Sequence, residues 1–417
     1  MIVPMRWKLR GLMLLAWAGS VAAAPDDLPH EVLLLAHFKE QMRQVLSEVP
    51  NYTCLETIQR LVQDRHAIAF RPLDTVLLEV SNLGNKELLA WPGAHRFEEG
   101  ELSSFASGGL MGNGIFALHA RTVFLSNTSV IQYFGNEEIA GRPVARYDFR
   151  VPEVWSGYQI RANGASAKVG TFGSFWIDPA SLELVRLEVQ ANEIPAELGI
   201  ERNVTIIDYA QMRIGDSGVL LPQAAKLVMM LLSGEVRRND IQFSHCREYH
   251  AESSIRFDMP DTPAPASAPP LRQVDLPAGL RVSIELETSI DSTTAHVGDP
   301  LRGHVANDVR RKDKTIIIPN GAIATGRIRG LARSPSPEAA CDLTIELAEL
   351  EWENTSAEFY GELLTPSSAA AATGEVHALQ IPGTGVLHMT GTRFHIAPGF
   401  RMNWRTLEPN QRLKKSK

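Results

Sequence analysis

A proline-rich stretch at residues 260–277, PDTPAPASAPPLRQVDLP, sets the organisation of this 417-residue chain. Proline fixes φ and has no N–H, so closely spaced prolines are incompatible with a helix interior or a central strand. We therefore expect a semi-rigid, extended spacer here. The spacer predicts two folded units, which we place at residues 24–259 and 278–408.

Composition and charge narrow the class of function. A hydrophobic content of 44% and a charged content of 21% are typical of globular proteins with a sizeable core. The 41 basic and 48 acidic residues give a net charge of −7, which argues against generic nucleic-acid binding. The chain has 31 glycines and 25 prolines but only 7% aromatic residues. This composition favours many short strands and turns.

The first 23 residues are predicted to be a signal peptide. Arg6, Lys8 and Arg10 precede a short apolar run at residues 11–18, and small residues follow up to Ala24. This apolar run is shorter than the roughly 20 residues that cross a bilayer, so a membrane anchor is the weaker alternative. We expect an exported protein, periplasmic or secreted, that has no transmembrane segment after cleavage.

Export makes a disulfide bond plausible for two of the three cysteines. Cys54 and Cys246 lie in apparent strands at the start and the end of the first unit. A bond between them would close a loop of roughly 200 residues and stabilise the fold by about 4–5 kcal/mol in the chain-entropy model. Cys341 is predicted to stay free, as a small buried hydrophobe rather than a reactive thiol.

The first unit begins with a predicted helix at residues 28–49. Leu34, Phe38 and Val45 recur at helical spacing, while charged and polar residues occupy the other face. Pro50 ends the helix.

Strand patterns then dominate the first unit. Residues 75–80 and 87–91 flank turn residues and predict a hairpin. Residues 145–151 alternate apolar and polar side chains, as expected for a strand with one buried face. Residues 178–179, Asp-Pro, predict a turn between two adjacent strands.

Residues 102–124 combine a glycine-rich bend at residues 108–114 with a more helical segment. The bend lacks the spacing of a phosphate-binding loop and is better explained as a flexible loop or lid. Together these patterns predict an α+β class: a curved antiparallel sheet, or unclosed barrel, that is packed with one or two helices.

The second unit is predicted to be a small all-β barrel or sandwich. Residues 280–287 and 341–347 alternate without a helical period. Residues 319–321, Pro-Asn-Gly, predict a hairpin turn between TIII and AIATGRI. Residues 366–374 are expected to form a loop, and residues 409–417 a solvated basic tail.

The first unit resembles LolA-like and RseB-type periplasmic proteins. Three stretches carry the resemblance: VIQYFGNEEIAGRPVARYDF, GSFWIDPASLELVRLEV and IERNVTIIDYAQMRIGDSGVLLPQAAKLVM. It implies an unclosed barrel whose concave face holds lipid in some members and senses partners in others. The second unit is more faintly similar to the β-barrel of TrbI-type secretion-channel proteins, through LPAGLRVSIELETSIDS, GDPLRGHVANDV and IIIPNGAIATGRI.

No catalytic motif is recognisable in the sequence. There is neither a G-x-S-x-G elbow nor an H-E-x-x-H pair. His245, Cys246 and His250 could be read as zinc ligands, but positions 245 and 250 face opposite sides of a regular strand. We predict no enzyme activity, no cofactor and no metal site, with a cryptic hydrolase as the remote alternative.

The remaining candidate for a functional site is the apolar surface of the first sheet. Aromatic side chains on this sheet belong either to a core under the helices or to a cleft for a ligand. The sequence does not show which of them belong to the core and which to the cleft. The cleft candidates are Trp91, Phe134, Tyr147, Phe149, Phe175 and Trp176. The predicted function is an exported, non-enzymatic envelope protein that binds a lipid or lipid-modified peptide on the concave sheet. The alternative is an envelope protein-interaction or sensing module of RseB type that docks a protein partner.

Overall fold

A computed structural model describes residues 28–408, with the exception of residues 84–85, 95–96, 98–104, 106–117, 127, 163, 216, 250–270, 312–314, 335–338, 367–375 and 392. Several predicted features lie outside the described residues: the signal peptide, the glycine-rich bend, the first part of the spacer, most of the loop at 366–374, and the basic tail. Among the described residues, no helix is both long and apolar enough to span a bilayer.

Helix α1 spans His30–Glu48 and confirms the predicted N-terminal helix. It begins after Pro29 and ends before Pro50, so proline bounds it on both sides. The side chains of Leu34, Phe38, Met42 and Leu46 are buried. Because they recur every four residues, they form one stripe along the helix. This stripe packs onto the first sheet.

The first sheet has ten strands in the order β3-β2-β1-β12-β11-β10-β9-β8-β5-β4, and all of its pairings are antiparallel. Strands β6 and β7 form a separate hairpin. The sheet curls into an open half-barrel, as predicted. The strands are β1 Tyr52–Gln63, β2 Arg71–Leu83, β3 Lys86–Ala90, β4 Val130–Ile139, β5 Arg142–Val151, β6 Gln159–Ala162, β7 Ala165–Lys168, β8 Gly170–Ile177, β9 Leu184–Asn192, β10 Ile200–Ile214, β11 Ser217–Leu231 and β12 Val236–Glu248.

The turns predicted in this sheet are present. Strands β2 and β3 pair as a hairpin. Strands β8 and β9 pair across the Asp-Pro turn, where the Asp178 carboxylate accepts a hydrogen bond from the Ala180 N–H at 2.8 Å. This Asx-type bond replaces a backbone partner and is why Asp-Pro favours a turn.

A second helix, α2, spans Leu118–Phe124 and packs with α1 on the same side of the sheet. The Phe124 ring lies edge-on to Phe38 at 5.1 Å and to Phe175 at 5.0 Å between ring centroids. The Tyr147 hydroxyl donates to the Glu31 carbonyl at 2.6 Å and so fixes the start of α1 to β5. The concave side is therefore closed by aromatic packing at this end.

The second sheet follows the order β13-β21-β20-β19-β16-β14-β26-β22, with the β23–β24 pair attached to β20. Its edge strand β22 approaches the β23–β24 turn, where the Gly383 N–H donates to the Gly361 carbonyl at 3.0 Å. The predicted all-β class is confirmed. The strands are β13 Arg272–Gln273, β14 Arg281–Leu286, β15 Ile290–Asp291, β16 Pro300–Val305, β17 Val309–Arg310, β18 Ile316–Ile318, β19 Ile323–Ser334, β20 Ala340–Trp352, β21 Thr355–Glu358, β22 Gly361–Pro366, β23 Val376–Ile381, β24 Thr384–Thr390, β25 His395–Ile396 and β26 Arg401–Thr406.

The hairpin predicted around Pro319-Asn320-Gly321 is wrong. The turn is present, but β18 pairs with β17, and β19 pairs with β16 and β20. The Gly321 N–H donates to the Val305 carbonyl, and the Asn320 N–H donates to the Asp308 carboxylate. These non-local bonds direct the chain towards β16, so the turn connects two different ladders.

The end of the predicted spacer lies against the second sheet. Strand β13 pairs in parallel with β21, and the Thr406 hydroxyl donates to the Pro277 carbonyl at 2.7 Å. The division into units at 24–259 and 278–408 stays a prediction.

The two sheets meet where β2 extends beyond the end of β3. The Leu77 N–H donates to the Val297 carbonyl at 2.9 Å, and the Val297 N–H donates to the Thr75 carbonyl at 2.8 Å. Gly298 has φ +106°, and a Cβ there would lie 2.6 Å from the Leu77 carbonyl oxygen. Only glycine fits this contact without a backbone shift.

Candidate functional site

A cleft opens on the concave side of the first sheet, beside the C-terminal half of α1. The cleft is shallow: its enclosed space is about 20 Å³, which is room for about one water molecule, and the space of about 390 Å³ around it includes open solvent. It is lined by Met42, Val45, Leu46, Val49, Tyr52, Asn82, Arg121, Tyr209, Leu220, Leu221 and Pro222.

A local irregularity of the sheet shapes the floor of the cleft. Pro222 lies in β11 opposite Tyr209 of β10, and the register shifts between Asp208 and Tyr209. Proline has no N–H for the ladder, so a proline inside a paired strand is usually found at a bulge.

The Tyr209 hydroxyl is the most unusual polar group in the cleft. The residue is only 9% exposed, and its hydroxyl has no hydrogen-bond partner among the described residues. Burial raises the pKa of this phenol above its ordinary value, so it keeps its proton at neutral pH. The site therefore presents a buried O–H donor without an acceptor.

Three further polar side chains line the cleft. The Arg121 guanidinium, on α2, donates through Nη2 to the Leu46 carbonyl at 3.3 Å, which fixes it beside the end of α1. Asn82 is buried on β2. The pKa of Tyr52 is raised well above its ordinary value by burial, and further by its electrostatic interactions with Glu87 and Tyr209.

Glu56 is a buried acid on β1 outside the cleft lining. It is 3% exposed, and burial together with the nearby Glu87 raises its pKa to about 8. At neutral pH Glu56 is therefore mainly protonated. His119 on α2 shows the matching effect for a base, since burial lowers its pKa to about 4 and keeps the ring neutral.

None of the six aromatic residues proposed from the sequence lines this cleft. Tyr147, Phe149 and Phe175 are brought together in the core, where the Tyr147 and Phe175 rings stack at 5.4 Å. Trp91 is half-buried where the two sheets meet, with the Arg329 guanidinium 4.9 Å from its ring.

Phe134 and Trp176 lie on the opposite face of the sheet from Phe175. The Arg146 guanidinium lies 4.1 Å from the Phe134 ring centroid and 5.5 Å from the Trp176 ring centroid. Glu137 accepts hydrogen bonds from Arg146 at 3.1 Å and from the Trp176 indole at 2.7 Å. Phe134, on the edge strand β4, is 62% exposed, whereas Trp176 is buried, so Arg146 lies between an exposed ring and a buried ring.

The predicted disulfide between Cys54 and Cys246 is present. It joins the neighbouring strands β1 and β12 at a register shift, where His245 has φ +51°. Because the Cys246 sulfur is bonded to Cys54, it is not available to the alternative zinc site; His250 lies outside the described residues. Cys341 is buried, and burial raises its thiol pKa to about 11.

No cluster of three or more histidine, cysteine or acidic side chains suited to a metal ion occurs in the part of the chain that the structure describes. The described histidines with acidic partners form separate pairs, such as His388 with Asp342 at 2.6 Å.

Comparison with known proteins gives structural similarity only. No family model matches the sequence, and no curated protein matches it. A DUF1329 family protein from Desulfovibrio piger matches with 12% identity over 54% of this chain and 95% of its own, at a TM-score of 0.29. A LolA superfamily protein from Nitrosomonas europaea matches with 10% identity over 53% of this chain and 96% of its own, at a TM-score of 0.28.

A structure of the Pseudomonas aeruginosa MucA/MucB complex matches over 91% of this chain and 96% of the matched chain, with 9% identity and a TM-score of 0.18. LolA and MucB structures are thus among the matches, in agreement with the LolA-like and RseB-type resemblance. At such TM-scores we base no argument about the site on them. The resemblance to TrbI-type barrels stays a prediction.

Sequence reasoning missed the cleft because its lining comes from six separated elements. Pro222 within a strand pattern was one available signal, since it indicates a bulge. Nothing local to Tyr209 or Arg121 shows that both face the same space.

Proposed function

We propose that this chain is an exported, non-enzymatic protein that binds an apolar ligand, a lipid or a lipid-modified peptide, in the cleft beside α1. The observation that carries the proposal is the cleft itself, a shallow and mostly aliphatic concavity on the concave face. Aliphatic walls without a catalytic constellation suit an acyl chain. The ligand position proposed from the structure is this cleft, whose lining does not include the six aromatic side chains predicted from the sequence.

The disulfide supports the exported location, since such bonds persist in oxidising compartments. We place the mature protein in the periplasm or outside the cell. Fractionation of cells that produce the full chain tests this part: the protein is expected in the envelope or the medium, and a purely cytoplasmic protein would contradict it.

A blocking substitution tests the ligand site. Val45→Trp places a large ring on a half-buried lining residue of α1, and it is expected to abolish binding of the neutral dye Nile red and co-purification of lipid in native mass spectrometry. Val32→Trp is the matched control, because Val32 is 44% exposed on the same helix and does not line the cleft. Equal binding by both variants, or no binding by the wild type, would exclude this site.

The second candidate function is an envelope interaction or sensing module of RseB type. It is favoured by the junction of the two sheets, where backbone hydrogen bonds fix residues 75–77 to Val297. Photo-crosslinking in cells from a probe at Phe134, which is 62% exposed, tests this candidate. One defined crosslinked partner supports it, whereas a smear of unrelated proteins argues against it.

A further inference from the structure

We propose that the edge strand β4 pairs with β4 of a second copy of this chain, in an antiparallel ladder centred on Gln132. The first sheets of the two copies would then continue across a two-fold axis as one sheet. This inference goes beyond the proposed function, because it concerns the edge of the first sheet and not the cleft.

The first support is the open edge of β4. Strand β4 is the last strand of the first sheet, and among the described residues it pairs only with β5. The backbone N–H and C=O groups that point away from β5 form a template for another strand. The opposite edge strand, β3, is half as long, and its Leu89 and Ala90 are buried. None of the ten residues of β4 is buried.

The second support is the position of the protecting features along β4. Proteins block open sheet edges with charged side chains and β-bulges. On β4 these features lie in the second half, where the register shifts between Tyr133 and Gly135 and the acidic Glu137 and Glu138 follow. The first half has neither feature, although Val130 is 70% exposed. This half is therefore the part of the edge that is open to pairing.

The third support is that this half matches a copy of itself. In a continuous antiparallel sheet, residues that lie opposite each other point to the same face, so the two-fold axis passes through a residue position. With Gln132 on the axis, Val130 lies opposite the second copy's Phe134, and Ile131 lies opposite its Tyr133. Exposed apolar side chains thus meet each other, as do half-buried ones. Pairs of an aromatic and a β-branched side chain stabilise a sheet.

The acidic residues of β4 favour the same register. With the axis at Gln132, Glu137 and Glu138 extend past the start of β4 in the second copy. An axis at Glu137 would set this carboxylate opposite its own copy, and like charges directly opposite each other are destabilising. An axis moved by one residue in either direction from Gln132 would set Val130 opposite a polar side chain and remove its aromatic partner.

Cysteine substitutions in the purified full chain test the register. Gln132→Cys should form an intermolecular disulfide in oxidised glutathione, because opposite residues lie about 4.5–5.5 Å apart between Cα atoms, within reach of a disulfide. Val130→Cys is the matched control, since it is also exposed but the two copies of position 130 would lie about 13 Å apart. A mixture of Val130→Cys with Phe134→Cys should crosslink again. The native Cys341 is buried and does not compete.

A charge swap tests the same contact without a covalent bond. A ladder of this length buries less surface than a standard stable interface, so the wild-type dimer should dissociate on dilution in analytical ultracentrifugation. Gln132→Lys sets two lysines opposite each other and should remove the dimer, as should Gln132→Glu. An equimolar mixture of these two variants should associate again, which also shows that both are folded. Asn136→Lys, exposed on β4 outside the ladder, should keep the dimer.

Several outcomes would overturn the inference: crosslinking of Gln132→Cys no better than that of Val130→Cys, or a dimer that persists in Gln132→Lys. A wild type that stays monomeric at every concentration, or whose β4 crosslinks only to a foreign protein, overturns it too. Nile red binding in the cleft does not depend on these results, so the proposed function is tested separately. In the photo-crosslinking from Phe134, a product of twice the chain mass is this dimer and not a foreign partner.

Discussion

The two ends of helix α1 lie on the same sheet but differ in how closely their side chains pack against it. At the N-terminal end, Phe38 stacks on Phe175 at 5.7 Å, and Phe124 fills the space between the helices. At the C-terminal end, the aliphatic Met42 and Leu46 face the sheet, and a cleft remains. The aromatic rings fill the space between α1 and the curved sheet, whereas the narrower side chains of Met42 and Leu46 leave a concavity at the helix end.

Truncation of a side chain at the packed end of α1 should lower the free energy of unfolding more than any other change considered. Phe38→Ala removes a fully buried ring from the aromatic cluster and is expected to lower the free energy of unfolding by about 3–5 kcal/mol. Leu46→Ala, at the cleft, should cost only about 2 kcal/mol, because its side chain already borders open space. Urea denaturation measures both, and equal losses would contradict the contrast between the two ends.

Removing the disulfide should loosen the cleft end. Cys54→Ser with Cys246→Ser deletes a bond between residues separated by 192 positions, and we expect a loss of about 2–4 kcal/mol. Cys54 lies two residues after the cleft residue Tyr52, so Nile red binding should weaken as well. Wild type treated with a reductant is the control and should reproduce both changes. Unchanged stability in reductant would show that strand pairing alone holds β1 to β12.

Glu56 should make stability depend on pH. Its folded pKa of about 8 exceeds the ordinary value of 4.5, so the folded state holds a proton that the unfolded state has released. Stability is therefore expected to fall as pH rises from 4.5 to 8. Glu56→Gln should remove this fall, which denaturation curves at pH 5, 6.5 and 8 would show. Parallel pH profiles for wild type and variant would contradict the assignment.

The smallest change in the free energy of unfolding is expected for a substitution of Tyr209. Tyr209→Phe deletes a hydroxyl that has no partner among the described residues, so the free protein should be as stable as wild type or more stable by up to about 1 kcal/mol. Differential scanning calorimetry without ligand measures this change. A clear loss of stability would show that the hydroxyl is hydrogen-bonded in the free protein.

Local patterns predicted much of the fold. The helical spacing of Leu34 and Phe38 specified α1, and the alternation of residues 145–151 specified the buried face of β5. Pro319-Asn320-Gly321 predicted a turn but the wrong hairpin, because the bond from Gly321 to Val305 is non-local. A turn motif fixes the direction of a few residues and not the strand that lies beside them.

The sequence by itself determined where strands and the first helix form and which cysteines can pair. Those properties depend on neighbours along the chain or on compartment. Only the tertiary structure decided that Tyr147, Phe149 and Phe175 are core and that a cleft lies beside Tyr209. The cleft depends on how side chains from positions 42 to 222 of the chain fit together in space. A local repeat in the sequence carries no information about the combined volume of such distant side chains.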